Sequence, residues 1–279
     1  MPILGRLIEL YRREGVEIAT GLLPQRFGNM PAANFTWFIR DGQSITNGLG
    51  IALQEVYLLE HLFARYRPAR VLVIGNALGW STLALAALLP ESRVVALDAG
   101  FDRNSLEGLA LTNRIAAAAG WNARAVKGVS PGDVAGVVKA ELGGPVDFAF
   151  IDGLHTNAQI VLDHAAVAAE AAADAVYLFH DVENFALGEG LAEIERRSGR
   201  AARRLAATPS GMAILFDPAR HPELDEAVAG FSPSPAALAA LTRAGWEHRH
   251  RHLARWRRSL AKRLNRRRPP DAAASRPDA

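Results

Sequence analysis

Through the middle of the chain, short apolar runs alternate with longer stretches whose apolar residues recur at helical spacing. The first run, Arg70 to Ile74, is aliphatic and β-branched and ends at Gly75; Gly79 follows, and then apolar residues at helical spacing. This predicts a buried strand, a tight turn and the first turn of a helix. Further strands are predicted at Val94–Leu97, Ala123–Val126, Val146–Ile151 and Val176–Phe179, with helices at Ser105–Ala119, Pro131–Leu142 and Asn157–Ala171. Strands alternating with helices call for an α/β fold, a parallel sheet covered on both faces. The last unit differs. Arg203–Ala206 and Met212–Phe216 flank the turn Thr208-Pro209-Ser210-Gly211, which predicts a hairpin and one antiparallel strand near the C-terminal end of the sheet.

The flanks follow other patterns. Ile3 to Ile18 fits an amphipathic helix, and Gly21 to Gly50 is rich in Gly, Asn and Pro with Phe27, Phe35, Trp37 and Phe38 interspersed. That stretch reads either as a lid over a site or as a wrap packing its aromatics on the core. Ile51 to Tyr66 has helical spacing (Ile51, Val56, Leu59, Leu62, Phe63) and is stopped by Pro68. After Asp217, prolines lead into a helical segment at Ala236–Leu241 and a basic stretch. There Trp246, Leu253, Trp256, Leu260 and Leu264 recur at spacings of seven, three, four and four, one face of a helix with arginines around the rest. The expected organisation is an N-terminal helical or lid segment (1–66), a sheet domain (67–218), a basic helical extension (219–268) and a disordered tail (269–279).

Composition sharpens this picture in two places. The chain has 279 residues, enough for a full core, and no cysteine, which removes disulfides and thiolate metal sites. The net charge of +3 hides an asymmetry: between Trp246 and Arg268 stand ten Lys/Arg and one acid, Glu247, leaving 22 basic against 28 acidic residues elsewhere. The basic helix can therefore lie on an anionic membrane or nucleic acid, or dock by its Trp/Leu stripe with arginines in solvent. The start lacks the pattern of a secretory signal and no run spans a bilayer, so a cytoplasmic protein is expected; homo-oligomerisation stays open.

In doubly wound sheets, ligands bind at the carboxyl ends of the strands. Past the first strand lie Gly75 to Ser81, with Ser81 and Thr82 near a helix N-terminus that favours polar or anionic groups. Past the second stands Asp98, placed to accept hydrogen bonds from both hydroxyls of a ribose. Past the third comes Lys127-Gly128-Val129-Ser130, a candidate edge for an adenine. The fourth and fifth strands end at Asp152-Gly153-Leu154-His155 and His180-Asp181. Asp152, His155, His180 and Asp181 then form a candidate cluster for acid–base work or for a hard cation such as Mg²⁺. A dinucleotide site is disfavoured, because the third glycine of its fingerprint is missing.

Residues 69–217 resemble the class I S-adenosylmethionine (SAM)-dependent methyltransferases. The likeness is to the group whose fourth strand ends F-I-D-G-x-H, here Phe150-Ile151-Asp152-Gly153-Leu154-His155, and whose fifth ends H-D, here Phe179-His180-Asp181. Catechol-type and macrolide-sugar O-methyltransferases are among its relatives. The glycine turn, Gly75-x-Ala77-x-Gly79, resembles that family's G-x-G-x-G turn. It departs where Ala77 replaces the central glycine and Val73 the usual acidic residue. The resemblance implies a Rossmann-like, doubly wound seven-stranded sheet and a cofactor site of Gly75, Asn76, Ala77, Gly79, Trp80, Ser81, Asp98, Gly128, Val129, Ser130 and Asp152. It further implies metal ligands at Asp152 and Asp181, a base at His155, and His180 as ligand or as a group orienting the loop.

The activity implied is methyl transfer from SAM to a hydroxyl of a small molecule or sugar. A histidine of near-normal pKa would take the acceptor's proton, with Mg²⁺ as an added cofactor. Three other readings stay open on sequence: a degenerate cofactor-binding protein, suggested by Val73 and Ala77; a metal-dependent oxygenase on this scaffold; and an RNA or DNA methyltransferase guided by the basic helix.

Overall fold

A computed structural model describes residues 3–45 and 49–265, without the side chains of 252–255 and 257–265. The arginines at 266–268 and the tail at 269–279, expected to be disordered, lie outside the described residues. The chain divides into two units, Met1–Ser232 and Pro233–Ala279.

The first unit begins with α1 (Leu4–Arg13), the short strands β1 (Glu17–Ala19), β2 (Trp37–Arg40) and β3 (Gln43–Ser44), and α2 (Leu53–Phe63). Then follow β4 (Arg70–Ile74), α3 (Trp80–Leu88), β5 (Arg93–Asp98), α4 (Ser105–Ala119) and β6 (Ala123–Lys127). Next are α5 (Val134–Val137), extended by a π-helical turn over Val138–Leu142, β7 (Val146–Ile151), α6 (Asn157–Ala169) and β8 (Ala171–Phe179). The unit closes with α7 (Gly188–Ser198), β9 (Ala202–Leu205), β10 (Met212–Leu215) and α8 (Pro222–Ala229). The second unit is described as one helix, α9 (Pro235–Asn265). Ser234 Oγ accepts the Ala237 N–H at its start, and Trp246 stacks on His250 with ring centroids 4.2 Å apart.

The seven-stranded sheet has the order β6-β5-β4-β7-β8-β10-β9, parallel except for β10, which runs antiparallel to both neighbours. This is the Rossmann-like doubly wound sheet expected. Strand alternation sorts its side chains into two cores. Val71, Val73, Phe148, Phe150, Val176 and Leu178 pack with residues of α1 to α4 and α8. Leu72, Ile74, Val95, Leu97, Ala149, Ile151 and Phe179 pack with residues of α5 to α7. Strand order reverses between β4 and β7, so the loops after these strands border the crevice where such sheets bind ligands.

Several expectations need correction. The N-terminal helix stops at Arg13 because Gly15 adopts φ +71°, and the chain continues as strand β1. The Gly/Asn/Pro-rich stretch contributes β2 and β3, which join β1 in a separate antiparallel sheet. Phe38 and Trp80 meet Tyr11 there, so this part of the stretch is a wrap on the core. The helix α7 was not anticipated because Gly188 and Gly190 interrupt its first turn, nor was the short, proline-led α8.

The turn after β4 is held by close packing. Gly79 has φ +86°, and a Cβ there would lie 2.0 Å from Thr112 Oγ1 of α4. Ala77 also takes the left-handed conformation, φ +45°, which alanine adopts at a penalty of about 1–2 kcal/mol. These neighbours should therefore respond oppositely. Gly79→Ala should destabilise the protein by about 2–5 kcal/mol, strain and overpacking together, whereas Ala77→Gly should stay within about 1 kcal/mol of wild type. Denaturant unfolding measures both; equal losses at the two positions would contradict this account of the turn.

Candidate active site

Three ladder hydrogen bonds set the strand ends level. Gly75 N–H donates to Leu97 O (2.8 Å), Asp152 N–H to Ile74 O (2.8 Å) and His180 N–H to Ile151 O (3.0 Å). The residue just past each strand therefore lies beside its neighbour's. Gly75 is obligatory at this point, because a Cβ there would lie 2.0 Å from the Asp152 carbonyl oxygen.

Asp98, the last residue of β5, faces the turn. Its Oδ2 accepts the N–H groups of Asn76 (2.8 Å) and Ala77 (2.9 Å), and its Oδ1 accepts that of Gly100 (2.8 Å). A carboxylate offers about four acceptor sites, so three backbone donors orient it and leave capacity for a hydroxyl. The side chains of the turn point into the protein. Asn76 is buried, bonded to Thr82 and Thr112; Trp80 is 1 % exposed and packs on Tyr11 and Phe38. What this turn offers a ligand is thus backbone together with the carboxylate of Asp98.

On the loop after β6, Ser130 Oγ–H donates to Asp163 Oδ1 (2.5 Å), and Gln159 Nε2–H donates to both Asp163 Oδ1 (2.7 Å) and Ser130 O (3.1 Å). Gly128 and Val129 are tied in by backbone donors, to Asp98 O and Asp133 Oδ2. The candidate adenine edge is therefore braced by α6, a support that the sequence did not disclose.

The four candidate catalytic residues converge. Asp152 Oδ1 lies 3.2 Å from His155 Nε2 and 3.1 Å from His180 Nδ1; Asp181 Oδ2 lies 3.3 Å and 3.4 Å from the same two atoms. Ligand atoms of Asp152, His155 and Asp181 all fall within 4.8 Å of one another. Asp181 takes φ +57° and is steadied by Asn184, whose Nδ2–H donates to Oδ1 (2.9 Å). Non-glycine residues in this conformation concentrate at functional sites. The two imidazoles differ in setting. His155 is partly exposed and stacks on Phe185 with centroids 4.3 Å apart; His180 is buried, with Phe35 edge-on at 6.4 Å. Its Nδ1 has no hydrogen-bond partner among the described residues, although both carboxylates lie close.

Comparison with known proteins gives one family match and several likenesses of fold. A family model described as a methyltransferase domain matches residues 72–182. Residues 72–182 thus resemble a methyltransferase domain. Among solved structures, a candidate caffeoyl-CoA O-methyltransferase from Staphylococcus aureus aligns with a TM-score of 0.50 at 13% identity, covering 60% of this chain and 84% of that one. The O-methyltransferase from Bacillus cereus in complex with SAH (S-adenosylhomocysteine) aligns at 0.46 and 18% identity, covering 59% and 80%. TomG from Streptomyces achromogenes, an O-methyltransferase involved in tomaymycin synthesis in complex with SAM, aligns at 0.47 and 17%, covering 60% and 81%. At 13% identity the first of these is a likeness of fold alone. A search of curated proteins returns no match. Among the described residues, no helix is long and apolar enough to cross a membrane.

Electrostatics bind the cluster together. Burial favours a neutral Asp152, but the charge of His180 and the hydrogen bond and charge of His155 outweigh it and hold the carboxyl at about 2. Burial lowers His155, yet its bond to Asp152 and the charges of Asp152 and Asp181 raise it above 6.5, so the near-normal pKa expected from sequence is corrected. His180 behaves likewise and more strongly: burial opposes its charge, and Asp152 and Glu55 raise it well above 6.5. The α2 residue Glu55 and the turn residue Ser210 complete this network and had not been anticipated.

A raised histidine stabilises the fold fully below its unfolded pKa and loses that contribution as pH rises through its folded pKa. A depressed carboxylate stabilises it above its unfolded pKa and loses the contribution as pH falls through the folded value. For Asp152 these limits are 3.8 and about 2, and for His180 the upper decline begins above 6.5. In metal-free protein, the difference in melting temperature between wild type and His180→Asn should be largest between about pH 4 and 6.5 and shrink toward pH 10. A difference that grows with alkalinity would contradict the charged pairing.

Proposed function

We propose that this chain is a SAM-dependent methyltransferase acting on a hydroxyl oxygen of a small molecule or sugar. The observation that carries this reading is a single rim: Asp98 bonded to the turn after β4, that turn packed on Asp152, and Asp152 bonded to His155. A nucleoside would have its ribose hydroxyls on Asp98, its adenine edge along Gly128 to Ser130, and its reacting end toward Asp152 and His155. When bound, SAM supplies a methyl carbon made electrophilic by its sulfonium.

The residues also fit a divalent cation such as Mg²⁺. Asp152 and Asp181 offer oxygens, and the unpartnered Nδ1 of His180 faces both. A cation held there would acidify a bound hydroxyl.

His155 is the group placed to receive the acceptor's proton, at Nδ1, since its Nε2–H is donated to Asp152. It is the more exposed imidazole and stands beside exposed Leu154 and Phe185, apolar surface suited to an organic acceptor. Alignment of acceptor and methyl is the other requirement, and Asp181 and Phe185 constrain the His155 ring for it.

Two experiments test the assignment. Asp98→Asn should weaken SAH binding by about 10–100-fold in isothermal titration, the value of charge-assisted hydrogen bonds to a sugar; unchanged affinity would remove Asp98 from the cofactor site. His155→Ala should lower methyl-transfer turnover by about 10²–10⁴-fold with SAH affinity intact. A base must start neutral and His155 is raised, so wild-type turnover should climb with pH to an inflection above 6.5, and the variant should lose that limb. Unchanged turnover would rule out His155 as the base.

A further inference from the structure

Glu55 lies on α2, outside the residues matched to the methyltransferase domain, and is 0 % exposed. A buried carboxylate persists only when its charge is paired and its lone pairs are filled. Here all are used. Oε2 accepts the Ala52 N–H (2.8 Å) and faces His180 Nε2 (3.0 Å); Oε1 accepts the Ser210 N–H (2.9 Å) and the Ser210 hydroxyl. The first of these is the bond a glutamate at the third helical position makes back to its cap. The others have no bearing on the helix. They tie α2 to His180 and to the turn between β9 and β10.

The consequence lies at the opposite edge of the imidazole. With Nε2–H donated to Glu55, the ring presents Nδ1 toward Asp152 Oδ1 (3.1 Å) and Asp181 Oδ2 (3.4 Å). Phe35 and Phe150 pack against the ring and restrict its rotation. Nδ1 is buried and makes no hydrogen bond. A histidine that ligates a metal through one nitrogen characteristically donates its other N–H to a carboxylate, which fixes the tautomer and the ring's aim. Glu55 and His180 have that relation, with the two aspartates on the side where a cation would sit.

We infer that Glu55 is a positioning residue for the metal site: it keeps hydrogen on His180 Nε2 and so presents Nδ1 as a ligand between Asp152 and Asp181. The N-terminal segment thereby completes a site whose other members all lie within residues 72–182. This inference rests on the divalent-cation reading proposed above and adds to it the residue that sets the third ligand.

The test is Mn²⁺ titration of the full chain in the presence of SAH, followed calorimetrically. Glu55→Leu removes the acceptor and should weaken Mn²⁺ binding by about 10–100-fold. Glu55→Gln keeps an oxygen able to accept Nε2–H but loses the charge, and should fall between the leucine variant and wild type. SAH affinity should be unchanged in both. Thr208→Ala, which removes hydrogen bonds from the same turn without touching Glu55, controls for loosening and should bind Mn²⁺ as wild type does. If Glu55→Leu does not fold, Glu55→Gln decides. Wild-type affinity in whichever Glu55 variant is folded, or an equal loss in Thr208→Ala, overturns the inference. Nitrogen-15 spectra of the wild type, taken at a pH high enough for the His180 ring to be neutral, give a second readout. Hydrogen on His180 Nε2 supports the assignment, and a bare Nε2 overturns it. Absence of Mn²⁺ binding to wild type would overturn the cation reading itself, leaving the orientation of His180 to the nitrogen-15 result.

Discussion

The hydrogen bonds from Asp152 N to Ile74 O and from His180 N to Ile151 O extend the sheet ladder one residue beyond β7 and β8. Because strand register is discrete, this fixes which residues emerge side by side where the strands end. Asp152 and His180 come level, their successors His155 and Asp181 turn back toward them, and four titratable groups share one small volume. A slip of one residue in β7 would turn Phe148 and Phe150 out of one core and Ala149 and Ile151 out of the other. The geometry of the site is thus protected by the hydrophobic sorting of the sheet beneath it.

Desolvation and pairing oppose each other at this rim, and pairing prevails. Burial acts against the charge of Asp152, His155 and His180, and in each case the neighbouring opposite charges decide the direction of the shift. The carboxylates that pair with the imidazoles are also ligand groups of the kind a hard cation takes, which is why the proposed cation site and the charge cluster coincide. Glu55 supplies a third carboxylate to His180 from a helix far away in sequence. The chain before residue 72 therefore does more than wrap the sheet domain.

The central sheet was legible because each strand is a compact aliphatic run bounded by turn residues, and the hairpin because Thr208-Pro209-Ser210-Gly211 is an unambiguous turn. The rim aspartates and histidines were legible for the same reason: strand ends are easy to locate, and Asp152 and His180 stand at two of them. What stayed hidden depends on tertiary contact. The three-residue β1 and two-residue β3 are too short to show a period. The side chains of Asn76 and Trp80 were grouped with the cofactor turn, yet they face protein. Glu55 did leave a trace, a lone acid within the apolar stripe formed with Val56, Leu59 and Leu62, but a helix reveals only that such a residue is buried and not which partner it meets. The raised pKa of His155 follows first from Asp152, three residues before it, and then from Asp181, whose approach no local pattern encodes.

The proposed ligand is a nucleoside lying along the carboxyl ends of β4, β5 and β7 with its sulfur end at the acid–imidazole cluster. The electron density of crystals soaked with SAH tests this most directly. The predicted result is a ribose within hydrogen-bond distance of Asp98 and a sulfur directed toward Asp152 and His155. Density for SAH at any other part of the molecule, with the rim between Asp98 and Asp152 left clear, would contradict it.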